Sequence, residues 1–392
     1  CRGAGTPATR SFRRAGSTTI RGMLQEQSIP LEFGDAERAG EALSDTMRGL
    51  RGSQILMIAG QIREAKAAGR NIADLTVGVF DAKHFPIRDG LGDRIFEAVG
   101  GGQTNFPPSN GIPLLSAAMR DYAAWSWGVS YPLDGILVAS GARPTIYATY
   151  VSVVEPGDEV VYPVPSWNNS HYVYLAKGTG VPLATTPEHQ FMPTMDDLRP
   201  HLASARLICL NTPSNPTGTV MDPGMVVEVA NAVVAENRRR DRDGERPLYL
   251  MLDAVYASLT YGDATFVHPV REVPEAAPWV LTVDGVSKAY AGTGLRVGWI
   301  LGPPVIVKKI NAFLGHVGAW APRPEQCGAA AFLDAPDEVA EFGVAMRKRA
   351  LDRLQTLYDG FEAMRAEGLP VRCIEPQGAI YLSLQLDWIG RS

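Results

Sequence analysis

Short apolar runs recur along the chain, each closed by small, polar or glycine residues. Ile136-Leu137-Val138-Ala139, Leu207-Ile208-Cys209-Leu210, Leu248-Tyr249-Leu250-Met251-Leu252, Trp279-Val280-Leu281-Thr282-Val283 and Val297-Gly298-Trp299-Ile300-Leu301 are the clearest. Such brief runs, apolar on both faces, predict strands covered on both sides, as in a parallel sheet. Asn71 to Gly78 reads as a further strand ending at a glycine. Between the runs the pattern turns helical. Met47, Leu50, Ile55, Ile58, Ile62 and Ala65 predict helix over 44–69, broken at Gly49 and Gly52. Ile112-Pro113 opens a helix with proline in its first turn. Val305 to Leu314 predicts another. Val339, Phe342, Met346, Leu351, Leu354, Tyr358 and Phe361 form one core-facing stripe on a long helix between Asp337 and Gly368. Strands alternating with helices predict an α/β fold, a mostly parallel central sheet wrapped by helices.

Composition narrows the class. The chain has 392 residues, 45% hydrophobic and 20% charged, with net charge −5. That suits a soluble domain with a smaller companion and gives no basic face for nucleic acid and no membrane surface. No apolar run is long enough to span a bilayer. Cys1, Cys209, Cys327 and Cys373 lack metal-ligand spacing, so no metal is expected. They read as reduced thiols of a cytoplasmic protein. Cys1 to Gly22 is rich in Arg, Ser, Thr and Gly. It reads as a transit-type segment or as extraneous sequence before a start at Met23, the second being favoured because the chain opens on Cys.

The chemistry gathers at Ser287-Lys288-Ala289-Tyr290-Ala291-Gly292-Thr293-Gly294-Leu295-Arg296. A lysine between two buried strands is costly unless neutral, paired or covalently used. An aldehyde cofactor offers that use, as a Schiff base. Arg296, after a glycine-rich turn, could then hold the cofactor's phosphate by a bidentate fork. Ser140-Gly141-Ala142-Arg143 ends a strand and opens a helix, a geometry that favours anions. Asn215-Pro216-Thr217-Gly218 and Asp253-Ala254-Val255-Tyr256 also close buried strands, where α/β sheets bind ligands.

In this order the motifs resemble the pyridoxal-phosphate (PLP) enzymes of fold type I, and the class I/II aminotransferases in particular, aspartate aminotransferase-like. The likeness runs from about Leu50 to Leu384. It implies PLP as cofactor, with Lys288 as the catalytic lysine and Ser287 beside it. Gly141, Ala142, Arg143 and Arg296 would cradle the phosphate. Trp167, after Pro165-Ser166, would stack on the pyridine ring, and Asp253 would pair with its nitrogen. Asn215 and Tyr256 would bond the phenolic oxygen, and Gly78 would approach the substrate carboxylate. Gly78 reads equally well as a plain strand-ending turn. The resemblance also implies a homodimer acting on an L-amino acid and a 2-oxo acid. The domains implied are an arm over 1–45, small-domain parts over 46–86 and 325–392, and a large domain over 87–324.

There are departures. Phe106 stands where the family has a tyrosine that reaches the partner's phosphate, so a packing role is expected of it. Ala254 replaces a common glutamate. Arg323, in the loop Gly318 to Gln326, is a candidate for a substrate's distal carboxylate. The run Glu236 to Pro247 reads as a solvated loop, because both signs of charge mix there. Ala379 to Leu384 reads as a small-domain strand. No arginine in a family-like context follows it, so either the chain is a fragment or the α-carboxylate contact is missing. Two other functions fit the same motifs: a PLP-dependent carbon–sulfur lyase, and a non-catalytic PLP-binding regulator.

Overall fold

A computed structural model describes residues 31–76, 78–87, 90–387 and 390. Two units divide the chain, Cys1–Gly52 and Ser53–Ser392. The leader Cys1 to Gly22 lies outside the described residues. The first unit holds helices Ala36–Glu41 and Asp45–Gly49, capped by the side chains of Asp35 and Ser44. Each cap contributes about 1 kcal/mol by satisfying free N–H groups.

The second unit is built on a seven-stranded sheet. Its strands are β1 (Ile136–Ala139), β2 (Glu159–Val164), β3 (Thr179–Ala184), β4 (Ala205–Asn211), β5 (Tyr249–Asp253), β6 (Val280–Gly285) and β7 (Gly298–Leu301). Their order is β1-β7-β6-β5-β4-β2-β3. Strands β2 to β6 pair in parallel, while β7 opposes both β1 and β6. This is the α/β fold the apolar runs predicted.

Strand alternation sends the buried side chains to two helical layers. Leu281 and Val283 pack with Ile146, Val153 and Ile310 of helices Ala142–Val153 and Pro304–Val317. Trp299 and Val138 face the other way, onto Met119 and Tyr122 of Pro113–Trp127 and Phe332 of Arg323–Leu333. Each such large side chain contributes about 2 kcal/mol on burial. The long helix is Pro336–Ala366, with Val339, Met346 and Leu354 buried along its stripe.

Four expectations are corrected. Among the described residues of 71–78 there is no strand. Asp74 captures the Thr76 N–H at 3.2 Å and its hydroxyl at 2.8 Å, so the chain turns there and finds no strand to pair with. The mixed-charge run from Glu236 stays helical to Asp243, because Asn237 and Arg240 are buried with partners. The loop after Gly318 ends early, at helix Arg323–Leu333. The C-terminal strand begins only at Leu384: β8 (Val371–Cys373) pairs antiparallel with β9 (Leu384–Leu386). Before it, Ala379 adopts a left-handed φ of 57°. The backbone there bonds to Gly218 and Leu259, so it cannot run on as a strand.

Candidate active site

Lys288 lies on a four-residue helix, Val286–Ala289, directly after β6. Val286 and Ala289 are buried in the core, which leaves Ser287 and Lys288 half-buried on the other side. The Lys288 ammonium donates to the carbonyl of Gly78. A methyl group built on Gly78 would lie 3.4 Å from Lys288 Nζ and 2.6 Å from the Tyr381 hydroxyl. The Tyr256 ring centroid is 5.7 Å from Nζ. Burial lowers the Lys288 pKa to about 8, and the cations of Arg143 and Arg296 push the same way, against Asp253. An amine held there is readily available as a base near neutral pH.

Asp253 ends β5. Its carboxylate accepts the Val255 N–H at 3.3 Å. Burial raises its pKa to about 6, and neither that bond nor the charge of Lys288 offsets it. A buried acid with so little compensation accommodates a cation. Asn211, at the end of β4, donates to the Asp253 carbonyl at 2.8 Å and accepts from Asn215 N–H at 2.6 Å. It thereby fixes the Asn215 turn against the Asp253 strand. The Tyr256 hydroxyl is 2.6 Å from that of Tyr381.

The anionic end forms where β1 stops. Gly141 has φ +94°, and a side chain on it would fall onto the Arg296 guanidinium. Arg296 itself is left-handed, φ 56°, a conformation that costs a non-glycine residue about 1–2 kcal/mol. Its guanidinium donates to the carbonyls of Thr293 at 3.0 Å and Ser140 at 2.9 Å. Three of its five N–H donors remain for an anion. Ala142 opens the helix here. Arg143 lies over the half-buried Trp167, 5.6 Å from the ring centroid. The donor set fits PLP: an amine for its aldehyde, a buried acid for its ring nitrogen, and a cationic cradle for its phosphate. Among the described residues no cluster could hold a metal ion.

The residues proposed for the site thus come from the ends of β1, β2, β4, β5 and β6, from the turn before β7, and from Gly78. Others stand apart. Phe106 does not pack into the core: it is 82% exposed on its loop and meets Trp320 edge-on at 5.6 Å. Arg323 donates to Gln103 at 2.9 Å. Two residues at the site were not anticipated, Asn211 and Tyr381. Tyr381 lies inside the stretch Ala379 to Leu384 that reads as a strand, and its hydroxyl was the available signal.

The model of the family described as aminotransferase class I and II matches residues 71–388. The aspartate aminotransferase of Geobacillus stearothermophilus is 28% identical, covering 87% of this chain and 82% of that protein. The aspartate/prephenate aminotransferase of Cereibacter sphaeroides is 28% identical, with 87% and 81% covered. Among solved structures, aspartate aminotransferase from Thermus thermophilus with maleate superposes with a TM-score of 0.77 at 25% identity, covering 88% of this chain and 85% of that one.

Proposed function

From the premise that the chain belongs to the class I and II aminotransferases, we propose that Lys288 carries the proton transfers of its reaction. The chain is a PLP-dependent aminotransferase, moving an amino group between an L-amino acid and a 2-oxo acid. When bound, PLP supplies an electron sink for charge developing at the substrate's α-carbon. Lys288, with its pKa near 8, would move the proton at the substrate's α-carbon. Asp253 would pair with the cofactor's ring nitrogen, whose positive charge would keep the buried carboxylate ionised. Asn215 and Tyr256 donate to the phenolic oxygen. Arg296, Ala142 and the Gly141 turn grip the phosphate, with Ser287 and Arg143 beside them and Trp167 covering the ring. Gly78 lets its backbone approach the substrate.

The observation that carries the reading is that β5 and β6 pair side by side, Asp253 against Val283, so that the buried Asp253 and Lys288, on the helix after β6, feel each other's charge. The cations of Arg143 and Arg296 bear on Lys288 there and suit the phosphate, and the aspartate named for the relatives is the amino donor proposed.

We also propose a homodimer in the cytoplasm. Leu114 and Phe106, both largely exposed, line adjoining hollows that share Arg323, and apolar surface of this kind suits a partner. Cys209, Cys327 and Cys373 are free, and no helix of the described residues is long and apolar enough to cross a membrane.

The decisive experiment is Lys288→Ala, assayed for oxo-acid-dependent amino transfer alongside pyruvate and ammonia release. Turnover falls by about 10⁴-fold, and borohydride treatment with PLP labels no peptide. Undiminished transfer by the variant refutes the assignment of Lys288.

A further inference from the structure

We propose that Tyr381 is a positioning residue: its hydroxyl donates to the Tyr256 oxygen and so commits the Tyr256 proton to the cofactor. The inference rests on the reading of Tyr256 as a donor to the phenolic oxygen.

A phenol has one proton to give. The two hydroxyls are 2.6 Å apart, so one proton lies between them, and either oxygen could supply it. If Tyr256 supplies it, none remains for the cofactor. Among the described residues the Tyr381 hydroxyl has no other hydrogen-bond partner. Tyr256 is fully buried, its ring edge-on to that of Tyr381 at 5.7 Å. A chain of donors running from Tyr381 to Tyr256 to the cofactor satisfies every proton, and each link strengthens the next.

The backbone holds Tyr381 in that place. Gly378 N–H donates to the Gly218 carbonyl at 2.9 Å, and the Ser383 hydroxyl donates to that of Thr217 at 2.8 Å. The Tyr261 hydroxyl donates to the Ala379 carbonyl at 2.6 Å. Gly218, at φ +73°, lies so close that any side chain there would strike the Tyr381 carbonyl. The segment is therefore strapped to the turn that carries Asn215. Both proposed donors to the phenolic oxygen take their register from one piece of backbone.

The test uses PLP-loaded Tyr381→Phe, Tyr256→Phe and the double variant. It reads the pH midpoint of the bound cofactor's visible absorbance, and the dissociation constant of PLP by equilibrium dialysis. The charged groups bearing on the Lys288 nitrogen are Asp253, Arg143 and Arg296, and the variants leave all three in place; the Tyr256 ring centroid lies 5.7 Å from it. A donor on the phenolic oxygen draws charge from it and lowers the proton affinity of the adjoining nitrogen. Weakening that donor raises the affinity.

Tyr381→Phe is expected to move the midpoint up by roughly half a unit, about threefold in proton affinity, and to weaken PLP binding. Tyr256→Phe moves the midpoint further in the same direction, and the double variant moves it no further than Tyr256→Phe alone. If Tyr256→Phe shifts the midpoint and Tyr381→Phe does not, the inference fails while the reading of Tyr256 stands. Additive shifts overturn it too, because Tyr381 would then act without Tyr256. If Tyr256→Phe leaves the midpoint in place, the reading fails and the inference with it. Melting of the PLP-free protein is the control: a lower melting temperature with an unmoved midpoint assigns Tyr381 to packing alone.

Discussion

The two ends of the parallel strands handle charge in opposite ways. At their starts, charge is saturated. Arg240, buried at the end of helix Pro223–Asp243, gives Nε to Glu236 at 2.7 Å. Its remaining bonds go to the carbonyls of Arg246, Leu202, Ala203 and Ala205. Arg206 meets Asp158 at 3.3 Å, and Arg246 bridges Glu155 and Asp158 at 3.0 Å each. At the strands' far ends Asp253 accepts one long bond among the described residues, and Lys288 sits near the cations of Arg143 and Arg296. Saturated charge holds a fold together. Under-compensated charge is retained where a ligand completes it.

Breaking the far end affects chemistry first. Asp253→Ala is expected to cut kcat by about 10³-fold, the scale of removing one preorganised electrostatic contact. The PLP-free variant melts no lower than the parent, because it loses an acid held at a pKa of about 6 by burial. Steady-state kinetics and calorimetry separate the two effects. A variant with intact kcat would remove Asp253 from the site.

Breaking the near end affects stability. Arg240→Ala leaves four carbonyls without their donor and is expected to cost about 3 kcal/mol. Urea unfolding measures it. The kcat per folded molecule changes by less than about twofold, since the two ends are distant and independent. A fall in kcat to match the fall in stability would erase the contrast.

Packed against Thr282, midway along β6, the helix cap His268 offers the finest cut. It is buried, bonded to Thr282 at 2.9 Å, and accepts the Val270 N–H, so it is neutral. Burial lowers its pKa to about 3. Its contribution is complete above the unfolded pKa of about 6.5 and is lost as pH falls from there toward 3. The slope is about 1.4 kcal/mol per pH unit. Urea unfolding of parent and His268→Gln at stepped pH should differ by that slope. Equal slopes would show that His268 is not held neutral.

Most of the sheet was legible because β4 to β7 are apolar on both faces and end abruptly. Asp253 stood out because a charge directly after such a run has few alternatives, and Lys288 because it lies between two such runs. What escaped depends on contacts far along the chain. Arg240 looked like surface charge, since the carbonyls that bury it belong to Leu202, Ala203 and Ala205. Asn71 to Gly78 has a strand-like pattern, but pattern does not supply a neighbouring strand. Tyr381 is 125 residues from Tyr256, and the left-handed Ala379 that re-aims its segment has no local signature.

The reversed direction of β7 has one more consequence. Because it runs against β1 and β6, it begins at the very rim where they stop. Chain leaving one lane of the sheet therefore re-enters the next through a single short hairpin-like tether, with no crossover underneath. Neighbouring lanes stand about 4.8 Å apart, so the reach from amine to guanidinium is gauged by that tether's length. Lengthening or shortening residues 289–295 by one would throw the two grips out of step, even with every side chain kept.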